Sequence, residues 1–309
     1  MVKSKFFKIF FSATALIVLG FIVGMIFASD SHFLLEIEEP QSTEAVFQHD
    51  ELNYESEIYW FRKAAEEGCY RAQNSLGFRY LRGDGVPQDY EQATYWFRKG
   101  AEQGFYSAQN NLGVRYLRGE SVPQDYAQAV YLFRKAAEQG CFHAQNNLGV
   151  RYLNGEGVPQ DYEQAVYWIR KGAEQEYFRA QNNLGVRYLN GEGVPQDYSR
   201  AAFWFSKAAL QGCYRAKTSL GWFSLNGRGD VPQDYERAVF WFRRAAEQGF
   251  YRAQNNLGVR YLNGGGVPQD YEQAAYWLRK SAEQGYSRAQ YNLGILHSRL
   301  EENAYGYSN

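Results

Sequence analysis

The sequence predicts an all-α solenoid, a stack of short two-helix repeats, on three observations. The pentapeptide Val-Pro-Gln-Asp-Tyr recurs at Val86, Val122, Val158, Val194, Val231 and Val267. Its starts lie 36, 36, 36, 37 and 36 residues apart, and they hold six of the seven prolines. Between them, small and apolar residues recur at helical spacing, in two sets per period. A fixed period of about 20 to 50 residues marks a repeat array, whose units bury their apolar faces only against neighbours. The length of 309 residues therefore counts repeats rather than domains.

Ala108 to His143 serves as the template. Ala108, Leu112 and Tyr116 fall at i, i+4 and i+8 on one helical face, and Gly113 beside them lets a second helix approach closely. This first helix ends at Gly119. A loop containing Val122-Pro123 leads to Asp125, whose carboxylate can cap the next helix, with Gln128 completing a capping-box-like pair. In the second helix Ala129, Leu132, Phe133 and Ala136 fall at i, i+3, i+4 and i+7, and Gly140 takes the left-handed position after its last turn. Six full copies follow this pattern. Glu51 to Arg71 reads as a second helix alone, and Ala289 to Leu300 as a first helix alone, before a polar tail from Glu301 to Asn309. These half-repeats are the expected caps of the terminal seams. Trp60, Trp96, Trp168, Trp204, Trp241 and Trp277, with Leu132 in the missing place, fall on the seam and are expected in the core.

The N-terminus is a separate object. Lys3, Lys5 and Lys8 precede an uncharged, mostly apolar run from Ile9 to Ala28. As a helix that run spans about 30 Å, the thickness of a bilayer's hydrocarbon core. Secretory signals have apolar regions of about 7 to 15 residues and an Ala-x-Ala-like exit. Here Ile26-Phe27-Ala28 puts a large residue at the third position before the cut. Residues 1–29 are thus expected to be a signal anchor, with a cleaved signal peptide as the alternative; 30–51 form an acidic linker containing Glu36, Glu38, Glu39 and Glu44; and 52–309 form the solenoid. The lysines orient the N-terminus inward and the repeats outside the cytosol. Gly20 and Gly24 match the small-xxx-small pattern of paired membrane helices, a hint of dimerisation in a segment type where glycine is common anyway.

A net charge of −1 and a pI near 6.5 argue against a nucleic-acid partner. Cys69, Cys141 and Cys213 lie 72 residues apart, in slots filled elsewhere by Phe105, Tyr177, Phe250 or Tyr286. A disulfide needs Cα atoms within about 7 Å, whereas slots two copies apart are about 16 to 20 Å from each other, so the cysteines are expected to be free apolar fillers. Gly100 and Gly172, where other copies carry Ala or Ser, show the same two-copy alternation, which points to duplication of a two-repeat unit. His32, His49, His143 and His297 occupy non-equivalent positions with no metal-ligand spacing, and no nucleophile–base pair stands out. No catalytic residue, metal or cofactor is expected. Asp89, Asp125, Asp161, Asp197, Asp234 and Asp270 have a sufficient explanation as helix caps.

The pattern Ala72-x-x-x-Leu76-Gly77-x-x-Tyr80-x-x-Gly83-x-Gly85-Val86-x-x-Asp89-x-x-x-Ala93-x-x-Trp96-x-x-Lys99-x-Ala101-x-x-Gly104 is similar to the Sel-one-like repeat, a relative of the tetratricopeptide repeat. The resemblance spans roughly residues 52 to 300. It implies a right-handed α/α superhelix acting as an adaptor for protein complexes or envelope signalling, often in bacteria. Members described as binding or hydrolysing β-lactams resemble a paired-cysteine design, which this chain lacks.

Two features are candidates for binding. The first is a column of Arg79, Arg115, Arg151, Arg187 and Arg260, with Asn111, Asn147, Asn183 and Asn256 four residues before its later members. Within a helix, positions 111, 115 and 118 fall within about 60° of one another, so stacked copies turn the column into a ladder. It is either a solvated or glutamate-paired face, with partners such as Glu102 and Glu138, or a concave strip suited to an acidic peptide, a C-terminal carboxylate or an anionic glycan. The second is the fifth full copy, where Trp222-Phe223 replaces Val-Arg, Thr218-Ser219 replaces the Asn pair, and Asn226-Gly-Arg-Gly-Asp230 carries one extra residue. It is either local repacking or an apolar anchor. Glu176 and Ser121 stand in glycine slots and are expected to hold tolerated strain. The expectation is a scaffold tethered through residues 9–28 to a bacterial inner membrane, with its repeats in the periplasm holding a protein or peptide, acidic if the arginine strip is open. An envelope hydrolase acting on peptidoglycan or a β-lactam, and a secreted effector meeting a host protein, are the alternatives.

Overall fold

The computed structural model describes residues 52–228 and 231–305. The apolar run 9–28 with Gly20 and Gly24, the acidic segment 30–51, His32 and His49 lie outside them. Among the described residues there are fourteen helices and no strand. Helix α1 (Leu52–Glu66) stands alone, and six hairpins follow. They are α2 (Tyr70–Arg82) with α3 (Tyr90–Glu102), α4 (Tyr106–Arg118) with α5 (Tyr126–Glu138), α6 (Phe142–Asn154) with α7 (Tyr162–Glu174), α8 (Phe178–Asn190) with α9 (Tyr198–Leu210), α10 (Tyr214–Asn226) with α11 (Tyr235–Ala246), and α12 (Tyr251–Asn263) with α13 (Tyr271–Glu283). Helix α14 (Ser287–Tyr305) closes the array. Six full copies and two halves are therefore present. Among the described residues no helix is long and apolar enough to cross a membrane.

The recurring pentapeptide holds each hairpin together. In the second copy the Gln124 amide donates to the Leu117 carbonyl at 2.9 Å, and the Asp125 N–H donates to the Tyr116 carbonyl at 3.0 Å. The Asp125 carboxylate then accepts from the Gln128 N–H at 2.9 Å and caps α5. Gln88, Gln160, Gln196, Gln233 and Gln269 repeat the loop contact, and all six aspartates cap the second helix of their copy. One side chain thus ties the loop back to the first helix while the next starts the second helix, satisfying N–H groups a helix start leaves unpaired.

The seam glycines set the distance between the two helices. A Cβ on Gly149 would lie 2.5 Å from Ile169 Cγ1, and one on Gly113 would lie 2.8 Å from the Phe133 ring. Ile169, Phe97, Phe133, Phe205 and Phe242 are fully buried in the space so created. Ser121 (φ 58°) and Glu176 (φ 62°) adopt the left-handed backbone of the glycines they replace. The Ser121 hydroxyl answers with a 2.9 Å bond to the Tyr90 carbonyl, and the Glu176 carboxylate with a 3.0 Å bond from Lys207 that holds its pKa below the usual range.

Two expectations change at the ends. Helix α14 runs through Glu301 and on to Tyr305 instead of giving way to a tail, because Leu300 stands in the slot where Gly264 ends α12. Trp96 and Trp168 are buried, Trp204, Trp241 and Trp277 are half-buried, but Trp60 on α1 is 59% exposed. Among the described residues no copy precedes α1 to cover it. All three cysteines are free, with Cys141 and Cys213 buried.

Candidate binding groove

Adjacent copies are joined by two sets of side-chain amides. Gln145, buried, donates to the Ala137 carbonyl at 3.2 Å and accepts from Gln175 at 2.8 Å. Gln73, Gln109, Gln181 and Gln254 accept in the same way from Gln103, Gln139, Gln211 and Gln284. The second set consists of rungs between first helices. Asn111 donates to Asn74 at 2.9 Å, Asn147 to Asn110 at 3.0 Å, Asn183 to Asn146 at 2.8 Å, and Asn292 to Asn255 at 2.8 Å. The candidate donors Asn111, Asn147 and Asn183 are thus engaged inside the array, and Asn256 accepts at 3.4 Å from its neighbour Asn255.

The arginine column is also largely engaged. Arg115 pairs with Glu120, Arg151 with Glu156 and Arg187 with Glu192, each five residues on, across the left-handed glycine that ends the first helix. Arg79 pairs with Glu57 of α1. The partners are these carboxylates rather than Glu102 or Glu138. Arg115 is only 4% exposed, and desolvation pushes the Arg115 and Arg187 guanidiniums below their ordinary pKa, against the pull of the paired glutamate. The paired carboxylate offsets the cost of taking such a cation out of water. Arg260 forms no ion pair among the described residues, because Gly265 stands where the glutamate would be, and burial lowers its pKa as well.

The fifth copy departs from this order in its arginine slot, its buried glutamine and its asparagine rung. Phe223, in the arginine slot, is fully buried and lies in the core with Phe205 and Leu220; it has no surface to offer a partner. Trp222 beside it is 38% exposed, with the Arg228 guanidinium 5.4 Å from its ring. Lys217 replaces the buried glutamine and donates to Gln248 at 2.9 Å, with burial pushing its pKa down. The asparagine rung is missing. The Ser219 hydroxyl donates to the Arg215 carbonyl at 3.2 Å and the Thr218 hydroxyl to the Tyr214 carbonyl at 2.9 Å, both within α10. Asn182 Oδ1 is therefore left buried with no hydrogen-bond partner.

A groove opens at this break. Cavities of about 660, 420 and 510 Å³ lie across α8, α10 and α12; the first shares Asn182, Asn183, Tyr214 and Arg215 with the second, and Thr218, Ser219 and Arg252 with the third. No acidic residue lines any of the three. Arg179, Arg215, Arg252 and Arg288, each the second residue of a first helix, are exposed on the groove and form no ion pair among the described residues. Sequence reasoning singled out the other arginine column. The available signal was the residue five positions on, which is Glu120, Glu156 or Glu192 for the paired column and is never acidic for this one.

Stacked two-helix copies with an open polar groove across their first helices define a helical-repeat solenoid. The chain belongs to the Sel1 repeat family, whose repeat matches residues 58–69, 71–105, 107–141, 142–177, 178–213, 215–250, 252–286 and 287–302. Sel1-repeat proteins generally mediate protein–protein interaction. The chain is similar to a protective antigen of uropathogenic Escherichia coli strains with an SLR fold, at 43% identity and a TM-score of 0.70 over 77% of this chain and 51% of that one. It thus spans about half the length of the Escherichia coli protein. It is also similar to a Sel1 repeat protein from Oxalobacter formigenes, at 33% identity and a TM-score of 0.70 over 75% of this chain and 95% of that one. No curated protein sequence matches it.

Proposed function

We propose that this chain is a membrane-tethered scaffold that holds a protein or peptide in the groove across α8, α10 and α12, on the periplasmic side of a bacterial inner membrane. The observation that carries the binding reading is the groove itself, where, among the described residues, the exposed arginines form no ion pair and a buried acceptor has no hydrogen-bond partner. Elsewhere in the array, four of the five arginines in the other column and the matching amides find partners in the chain. Lys3, Lys5, Lys8 and the run 9–28 support the tether. The similar proteins of Escherichia coli and Oxalobacter formigenes support the bacterial setting.

A photo-crosslinking amino acid at Arg252, in the groove, should give defined protein adducts in native cells. One at Tyr131, exposed on α5 and lining none of the cavities, should give none. Absence of adducts from the groove would sink the binding reading. Recovery of the chain with its N-terminus intact in the membrane fraction is expected for the tether, and a mature chain beginning after Ala28 would replace it with the secreted form.

A further inference from the structure

We infer that the groove at the fifth copy seats an extended acidic peptide segment, whose carboxylates pair with Arg215 and Arg252 and whose main-chain N–H donates to Asn182 Oδ1. This rests on the scaffold reading above and specifies its ligand. Three independent observations converge. Arg179, Arg215, Arg252 and Arg288 form a basic line along walls that contain no acidic residue. Asn182 is 7% exposed and its Oδ1 is an acceptor without a donor, at the one place in the described array where a first-helix asparagine meets a hydroxyl pair instead of an amide. The aromatic rings of Tyr214 and Phe250, with centroids 4.7 Å apart, form an apolar wall between those polar groups.

The occupant must therefore bring negative charge to the rim and a donor to the floor, with little bulk between. Guanidiniums pair with carboxylates and phosphates in two parallel hydrogen bonds. An inorganic anion such as sulfate offers no donor for Asn182 Oδ1, and a hydrogenphosphate placed on the arginine rim does not also span the groove floor. A peptide backbone offers one N–H per residue beside its acidic side chains. First helices about 8 to 10 Å apart match one turn of about three residues in a polyproline II chain, which puts every third side chain on one face, so acidic side chains at that spacing meet successive arginines.

The test uses the purified full chain and a fluorescent, acetylated and amidated peptide with glutamate at every third position, separated by Ser-Gly. Binding should weaken at least about tenfold when glutamine replaces the glutamates, and at least about tenfold in an Arg215→Gln, Arg252→Gln protein. Arg71→Gln, at the equivalent position of α2, should leave it unchanged. N-methylation of the peptide backbone should weaken it about threefold to tenfold. The discriminating variant is Thr218→Asn with Ser219→Asn. It rebuilds the missing rung, occupies Asn182 Oδ1, and should cut peptide affinity about tenfold without lowering the melting temperature. Peptide binding that survives the arginine double change or the rebuilt rung overturns the inference. So does displacement of the peptide by a single-stranded oligonucleotide at equal charge. Retained adducts at Arg252 with no affinity for the peptide would reject the acidic ligand and leave the scaffold reading standing; loss of both would reject the two together.

Discussion

The side-chain amide of Asn183 donates to Asn146 Oδ1 across 2.8 Å, although the two residues are 37 positions apart. The same rung recurs with the same separation at Asn111–Asn74, Asn147–Asn110 and Asn292–Asn255. Each rung satisfies an acceptor, on the buried Asn110, Asn146 and Asn255 and on the half-buried Asn74, and fixes the register of one copy on the next. Asn182, whose partner slot holds Ser219, has the acceptor without the rung.

Removing a rung from inside the array should therefore cost more than a surface change. Asn147→Ala strands Asn110 Oδ1, and a loss of about 1 to 2 kcal/mol is expected. Native-state hydrogen exchange, read separately for α4 and α6, should show the loss concentrated at their interface. Protection equal to that of the unaltered chain would show that the rung contributes nothing.

The seam glycines are expected to tolerate no side chain. On Gly149 a methyl would sit 2.5 Å from Ile169 Cγ1 and 2.9 Å from the Ala165 carbonyl. Gly149→Ala should destabilise by about 1 to 3 kcal/mol through overpacking. Adding Ile169→Val trims a contact but leaves the carbonyl clash, so urea unfolding of the pair should show partial recovery only.

The ion pairs across the hairpin loops matter because one partner is buried. Glu120→Gln leaves Arg115 charged and desolvated, and a loss of about 3 kcal/mol is expected. The reverse experiment is available in the sixth copy, where Arg260 faces Gly265. Gly265→Glu should supply the missing carboxylate and stabilise α12 by about 1 kcal/mol, visible as a higher urea midpoint. No gain would mean that the loop there cannot deliver the carboxylate.

Lys217 is the fifth copy's substitute for a buried glutamine, and burial lowers its pKa. Lys217→Gln should restore the amide link to Gln248 and raise stability by about 0.5 to 1.5 kcal/mol at neutral pH. A lower thermal midpoint in that variant would show that the lysine's alkyl chain contributes more by packing than its charge costs.

Local chemistry made much of this fold legible from residues alone. Asp125 caps because it stands one residue before a helix with three N–H groups to satisfy, and Gly119 ends α4 because the chain must turn left-handed there. Leu300, in the equivalent slot without a glycine, carries the same lesson, since α14 continues through it. The candidate site was less legible. Arg115 and Arg179 both recur once per copy, both sit on first helices, and both look like surface cations in a linear reading. Trp222 and Phe223 are adjacent, yet one is exposed on the groove and the other is core.

The period, the helices, their caps, the seam and the irregular fifth copy were thus determined by the sequence, because each depends on residues within one turn or one hairpin. Only the tertiary structure decided which arginine column is neutralised and which is open, and which asparagine lacks its rung. The rung depends on which side chain of one copy meets which of the next, across 37 residues of chain, and the neutralised column on a loop that folds back to bring a glutamate against a half-buried or buried arginine. Burial then fixes the consequence, because a polar group shut away from water must find its partner in the fold or in a ligand.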